Sequence, residues 1–407
     1  MLFDPERHEP LCATPWVEST ARDVIRAIVD DTCRSFRPAS LWPTHPRDVE
    51  NDRTAALPDA GLYQGAAGAI WALQWLQAQG AAEVDLDLGR TVATLIEYGR
   101  RFIEAAGMEH ASYMLGETGI LLLQWKNHAR QDTADALFRL VQGNLRNPAR
   151  EALWGSPGTL VAALHMLEAT REPRWQALFR DGVDILWQQM HAVRHSGHPY
   201  REAWVWTQDL YGKQIVYMGA GHGFAGNLFP VIRGARWLDD QLVADFEARA
   251  FETLDIAASR DAGMINWEPV FDRHAVGFPS RPLVQDCHGA PGIVCRLADA
   301  RSPSLKALLL QARELIWAAG PLGKPPGLCH GTDGNGYAFL KLHAMTGDAR
   351  WLDRARAFAM HAIQQSDAVA AQHGQRRFTL WTGDLGLAVY LWSCVRADAA
   401  LPTLDVF

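Results

Sequence analysis

Gly327-Leu-Cys-His-Gly-Thr-Asp-Gly-Asn-Gly-Tyr-Ala-Phe339 contains the unit that decides the fold. Its Gly331-Thr-Asp-Gly334 element runs straight into an apolar, small-residue stretch, and the same G-x-x-G opening recurs along the chain. The others are Gly65-Ala-Ala-Gly68, Gly116-Glu-Thr-Gly119, Gly155-Ser-Pro-Gly158, Gly223-Phe-Ala-Gly226, Gly289-Ala-Pro-Gly292 and Gly383-Asp-Leu-Gly386. One such element is weak evidence, but seven, each followed by an apolar helix, form a repeat. First glycines lie 51, 39, 68, 66, 42 and 52 residues apart, each interval long enough for one apolar helix, one amphipathic helix and two loops. Units of this kind bury their apolar faces only by stacking. The expected fold is therefore all-α: an α/α toroid, or barrel, of seven inner and seven outer helices. Glycine suits the helix starts because it accepts unusual φ values and lets backbones approach closely. Helices begun this way are expected to leave backbone N–H groups exposed toward a central space.

Amphipathic spacing predicts helices over Ser19–Ser35, Thr91–Ala106, Thr133–Gln142, Asp239–Ser259 and Ser304–Ala319. Phe36–Leu57 and Ser196–Gln214 read as loops and Met264–Pro282 as irregular, with strand signals scarce. No domain boundary interrupts the repeat, so residues 61–407 are expected to form a single domain and residues 1–60 a capping segment.

Composition excludes several classes. Hydrophobic residues make up 48% and charged residues 21% of the 407, which rules out disorder over most of the chain. A net charge of −7 argues against nucleic-acid binding. No apolar run reaches the roughly 18 residues of a membrane helix, and the first residues lack the layout of a secretory signal. A cytoplasmic protein is expected. Six cysteines are too few for a disulfide scaffold. Sixteen tryptophans suit core packing, although tryptophan also lines clefts.

The seven units differ in what precedes their glycines. His222 precedes the fourth, Cys287 and His288 the fifth, and Cys329 and His330 the sixth. A closed repeat brings these positions to one rim. Two thiolates and an imidazole suit Zn2+, and three protein ligands leave a fourth position for water or substrate. Cys287, Cys329 and His330 are the expected ligands of one ion per chain. No C-x-x-C spacing supports the site, and the alternative is buried free thiols, which Cys295 and Cys394, inside apolar helices, fit well.

Over residues 61–407 the chain resembles the lanthionine synthetase C-like proteins. The resemblance rests on all seven glycine elements and on Met218-Gly-Ala-Gly-His222-Gly-Phe-Ala-Gly226, Cys287-His-Gly-Ala-Pro-Gly292 and Gly327-Leu-Cys329-His330-Gly-Thr-Asp-Gly334. Cys-His-Gly-Ala-Pro-Gly looks more like the eukaryotic-type stand-alone members than the bacterial cyclases, which usually carry Tyr after the first zinc cysteine. The resemblance implies the seven-hairpin toroid, the zinc site and the same three ligands. It also implies addition of a thiol, glutathione above all, to dehydroalanine or dehydrobutyrine in a peptide or protein. Zinc would lower the thiol pKa, and an acid must protonate the enolate formed.

The resemblance further implies roles for other residues. His222 matches a histidine proposed for acid–base work, against the alternative of a helix-start histidine bonded to a loop carbonyl. Arg281 lies where the family places an arginine near the site, or is a surface ion pair. Glu151 sits where cyclases have a functional Asp, or is a solvated helix-end charge. Lys324, with Arg376 or Arg377, would bind a carboxylate of the thiol tripeptide, or be ordinary surface charge. Asp286 replaces a family Trp. Its carboxylate could orient His288 or His330, or burden the site with negative charge. Other readings are a lanthipeptide cyclase, a non-catalytic peptide- or protein-binding scaffold, and a glycoside hydrolase using Glu117, Asp333 or Asp384. A closed toroid leaves no exposed repeat edge, which is compatible with a monomer.

Overall fold

A computed structural model describes residues 1–49, 54, 57–277 and 281–407. The remainders of the segments read as loop and irregular chain, at 50–53, 55–56 and 278–280, lie outside the described residues. In chain order the α-helices are α1 (Glu18–Ser35), α2 (Ala66–Ala78), α3 (Leu88–Ala106), α4 (Glu117–His128), α5 (Gln131–Asn144), α6 (Ser156–Thr170), α7 (Pro173–Gln189) and α8 (Phe224–Arg233). They continue with α9 (Asp240–Ala257), α10 (Arg273–Val276), α11 (Ala290–Leu297), α12 (Pro303–Gln311), α13 (Arg313–Ala319), α14 (Thr332–Thr346), α15 (Ala349–His373) and α16 (Asp384–Arg396). Each of the seven glycine elements opens a helix, and its first glycine stands immediately before α2, α4, α6, α8, α11, α14 or α16. The all-α expectation is met.

Contacts divide the chain into two compact units. One comprises Met1–Pro10, Val141–Gly323 and Lys341–Ala349, and within it α6 packs on α7 and α8, α8 on α11, and α9 on α12. The other comprises Leu11–Leu140, Lys324–Leu340 and Arg350–Phe407, and within it α2 packs on α3 and α16, α3 on α4, and α1 on α16. The glycine-opened helices are buried on nearly every face. Ser156 to Leu167 of α6 and Asp384 to Cys394 of α16 are buried without a break. In α3 only Leu88, Val92, Leu95, Gly99 and Ile103 are buried, the stripe expected of a covering helix.

The glycines do something other than expose amide groups. In five of the apolar helices, α2, α4, α8, α14 and α16, the preceding loop folds back across the first turn. Phe224, Ala225 and Gly226 donate their N–H groups to the carbonyls of Tyr217, Met218 and Gly219, at 3.0, 3.3 and 3.3 Å. The same offset of seven residues joins Ala66 to Asp59, Glu117 to His110, Gly334 to Gly327 and Asp384 to Arg377. The expectation of exposed amides is therefore corrected: in these five helices the preceding loop takes up N–H groups of the first turn. The second glycine makes room for that loop. A Cβ on Gly226 would lie 2.4 Å from the Ala220 carbonyl, and one on Gly386 2.2 Å from that of Leu380, both six residues back. Gly68, Gly119 and Gly292 meet their own loops in the same way.

Three β-hairpins correct the sequence reading. Ser196–Gln214, expected to be loop, holds β2 (His198–Val205), which pairs with the preceding β1 (His191–His195), and β3 (Gln208–Leu210), which pairs with β4 (Lys213–Ile215). β5 (Ala258–Asp261) pairs with β6 (Met264–Trp267), so α9 stops at Ala257 rather than continuing to Ser259. The β3–β4 and β5–β6 turns, Tyr211-Gly212 and Ala262-Gly263, have positive φ at both residues, the geometry that closes a two-residue hairpin. β1 and most of β2 are exposed, so they have no apolar face to alternate, and the other strands are only three or four residues long. The predicted Ser304–Ala319 helix is broken at Ala312 into α12 and α13.

Backbone proximity makes a two-sided prediction. Gly386→Ala should cost about 1–3 kcal/mol of stability, because a carbonyl must move. Gly143→Ala, near the end of α5 with nothing within 4 Å of the added Cβ, should gain about 0.4–1 kcal/mol. Thermal or urea unfolding of the two variants checks both signs.

Candidate metal centre

The fold-back loop before α8 presents His222. Its Nδ1 lies 2.9 Å from Oε2 of Glu151, which is fully buried. Glu151 also accepts N–H groups from Leu153 (3.0 Å) and Trp154, at the approach to α6. An ionised carboxylate only accepts, so Nδ1 of His222 carries a hydrogen and Nε2 is the atom left for exchange. Burial works against charge on this imidazole. The hydrogen bond and charge of Glu151, with a further contribution from Cys287, outweigh it and raise the pKa above the ordinary histidine value. The ring stands about 6 Å, centre to centre, from those of Tyr211, Tyr217 and His288.

Cys287 lies on the loop before α11. Its carbonyl accepts from the Gly221 N–H at 3.2 Å, and its Sγ accepts from Nε2 of Gln285 at 3.0 Å. A Cβ on Gly219 would stand 2.1 Å from the Cys287 carbonyl, so glycine lets the His222 loop lie against the Cys287 loop. Next to it, His288 is pushed down to about 4 by burial and then by His222. It is therefore neutral, and its Nδ1 has no hydrogen-bond partner among the described residues.

Cys329 and His330 lie on the loop before α14. The Cys329 N–H donates to the Trp381 carbonyl at 3.0 Å. Burial, then the charges of Lys324 and Arg377, push His330 down to about 4, leaving a neutral ring with a lone pair to give. His330 also borders a cavity of about 150 Å3 lined by Arg47, Lys324, Arg377, Trp381 and Thr382.

Cys287, Cys329 and His330 offer one ligand atom each, all within 4.8 Å of one another, and could hold a metal ion. Two sulfurs bound to tetrahedral zinc at ~2.3 Å lie a little under about 4 Å apart. The donors are thus near the spacing zinc needs, and two thiolates with a neutral imidazole are a donor set it favours.

The other expected residues divide. Glu151 joins His222. Lys324 lines the cavity, and so does Arg377, whose Nε donates to Asp48 at 2.7 Å. Arg376 does not line it. Its guanidinium is 2.7 Å from Ser366 Oγ and 3.7 Å from Asp384. Arg281 is largely exposed and pairs with Asp4 at 2.8 Å. Asp286 meets neither of the histidines it was expected to orient, because both its oxygens are taken by Arg296, at 3.0 and 2.8 Å. Glu117 is pinned by Arg100 and His110, and Asp333 and Asp384 are buried. Sequence reasoning missed Gln285, Tyr217, Arg47 and Arg296. For Arg296 a signal existed, a lone charge inside the apolar α11 run; for the others none did.

These features define a class: an all-helical protein whose repeat loops gather two cysteines and a histidine able to bind metal. The model of the lanthionine synthetase C-like proteins matches residues 56–406, and the chain belongs to that family. It is 27% identical over 344 residues to "Glutathione S-transferase LANCL1" of Danio rerio, covering 76% of this chain and 78% of that protein. It is 29% identical over 186 residues to "LanC-like protein GCL1" of Arabidopsis thaliana, covering 43% and 40%. Among solved structures it resembles nisin cyclase, with a TM-score of 0.62, 14% identity and coverage of 95% of this chain and 96% of that one. That likeness bears on the fold, an all-α toroid. Among the described residues no helix is long and apolar enough to cross a membrane.

The His222–Glu151 contact yields a prediction. The His222 imidazole should titrate above pH 6.5 and stay protonated up to that higher value. Glu151→Gln should move the midpoint down, because the burial penalty remains while the carboxylate charge is gone. NMR titration of the ring C–H resonance reads both midpoints, and an unmoved midpoint in the variant would refute the assigned cause.

Proposed function

We propose that this chain is a zinc-dependent enzyme that forms a carbon–sulfur bond by adding a thiol to a dehydroalanine or dehydrobutyrine residue of a peptide or protein. Glutathione is the thiol we favour. The observation that carries this reading is the cluster of Cys287, Cys329 and His330 donor atoms within 4.8 Å. Family membership and the name of the Danio rerio relative support it. Zinc bound there would lower the pKa of a coordinated thiol, so that thiolate exists at neutral pH.

The chain's own residues supply the rest. Sulfur attack on the β-carbon moves the C=C electrons toward the neighbouring carbonyl. A proton must then reach the α-carbon. His222, oriented by Glu151 and favoured by it in the charged form, is suited to give it from Nε2, and the proton released by the thiol restores the acid. In sum, S–H adds across C=C. Lys324, Arg377 and Arg47 line a cavity beside His330 that suits a carboxylate of the thiol substrate. Arg377 replaces Arg376 in this reading. Arg281 is given no part in the chemistry, because it pairs with Asp4 at the surface. We further read residues 61–407 as one catalytic domain capped by residues 1–60, acting as a monomer in the cytoplasm, where its six cysteines stay reduced.

Intact-mass analysis of a dehydrobutyrine peptide incubated with the protein and glutathione tests the reading. A gain of one glutathione mass is expected, reduced to the uncatalysed background in Cys329→Ala and after zinc chelation. His222→Asn should retain zinc yet lose about 10²–10⁴-fold in rate. No gain from zinc-loaded protein would sink the glutathione reading. Ring closure in a cysteine-containing dehydropeptide leaves the mass unchanged and is read as loss of thiol alkylation; its occurrence would mark a cyclase, and its absence as well would mark a protein without thiol chemistry.

A further inference from the structure

Asp286 and Arg296 form a buried ion pair, their side chains 4% and 5% exposed. Such pairs are expensive to desolvate, and well-packed apolar side chains of similar volume are often as stable or more so. Stability alone therefore gives no reason for this one, at a position where the resemblance leads one to expect Trp. Its effect is geometric. Two parallel N–H···O contacts fix the plane of the carboxylate as well as its distance. The Asp286 carbonyl is also pressed against α11, where a Cβ on Gly292 would come within 1.6 Å of it. Asp286 is thus tied to α11 by side chain and main chain together.

The next residue is Cys287. Around it the turn is tied at each end: the Gln285 N–H donates to the His288 carbonyl at 3.1 Å, and the Gly221 N–H donates to the Cys287 carbonyl. We propose that Asp286 and Arg296 are a positioning pair that sets the direction of the Cys287 sulfur. The pair does so without burdening the metal cluster with charge, because the guanidinium cancels the carboxylate. This inference rests on reading Cys287 as a metal ligand.

The test compares the full chain with Cys287→Ala, with Asp286→Glu and with the double variant Asp286→Leu/Arg296→Met. The readouts are Tm, zinc affinity by competition with a chromophoric chelator, and the cobalt spectrum after metal replacement. The double variant removes both charges together and leaves neither unpaired, so its Tm should be unchanged or higher. Its zinc affinity should fall about 10–100-fold, with altered cobalt ligand-field bands. Asp286→Glu keeps the charge but lengthens the arm, and should weaken zinc binding while remaining folded. Wild-type affinity and cobalt spectrum in a folded variant of either kind would overturn the inference. Should the unaltered chain and Cys287→Ala bind zinc equally, the ligand reading itself fails, an outcome distinguishable from the first.

Discussion

Amide groups in the first turns of five of the apolar helices, α8 and α14 among them, bond to carbonyls seven residues earlier, and the placing of His222, Cys329 and His330 depends on that contact. A helix start normally leaves four N–H groups without intrahelical partners. Here the loop ahead doubles back and takes several of them, as Tyr217, Met218 and Gly219 do for α8. The second glycine lets the loop carbonyls come within a distance that any Cβ would forbid. His222 lies inside one such fold-back loop, and Cys329 and His330 inside another. Their placement follows from main-chain geometry before any side-chain contact is considered.

The same contact explains what could be read from the sequence. Glycine spacing revealed the helix starts because the close approach leaves no alternative residue. Amphipathic stripes revealed covering helices such as α3. What the glycines were doing was not legible, since a pattern of residue types does not say where an N–H group points. The first hairpin was hidden by its exposed strands and the other two by their brevity, although the Tyr211-Gly212 and Ala262-Gly263 turns hinted at those two. At the site, Cys287, Cys329, His330, His222 and Glu151 were recognisable from register and resemblance. Register alone did not place Arg281, whose ion partner Asp4 is 277 residues away, nor Arg376, whose contacts with Ser366 and Asp384 depend on how the chain between them folds.

Charge in this region is divided sharply. The charged form of His222 is favoured by the Glu151 carboxylate, whereas His288 and His330 are neutral through burial and nearby positive charge. Three imidazoles of one residue type thus differ in how readily they carry charge. Environments that push like groups apart are how a single fold assigns different tasks to them. The Asp286 carboxylate, paired with Arg296, belongs to the same pattern, since an uncompensated one next to Cys287 would oppose its ionisation.

Because the fold-back loops are fastened through backbone atoms and glycine, that fastening does not depend on which side chains stand at their tips. Each tip is in effect a socket whose occupant can change while the frame persists. Among the seven loops, those before α8, α11 and α14 hold histidine or cysteine, while the loop before α2 carries Leu62, Tyr63 and Gln64. New chemistry on such a frame requires exchange at a socket rather than a new fold, and the other sockets are already addressed by the repeat.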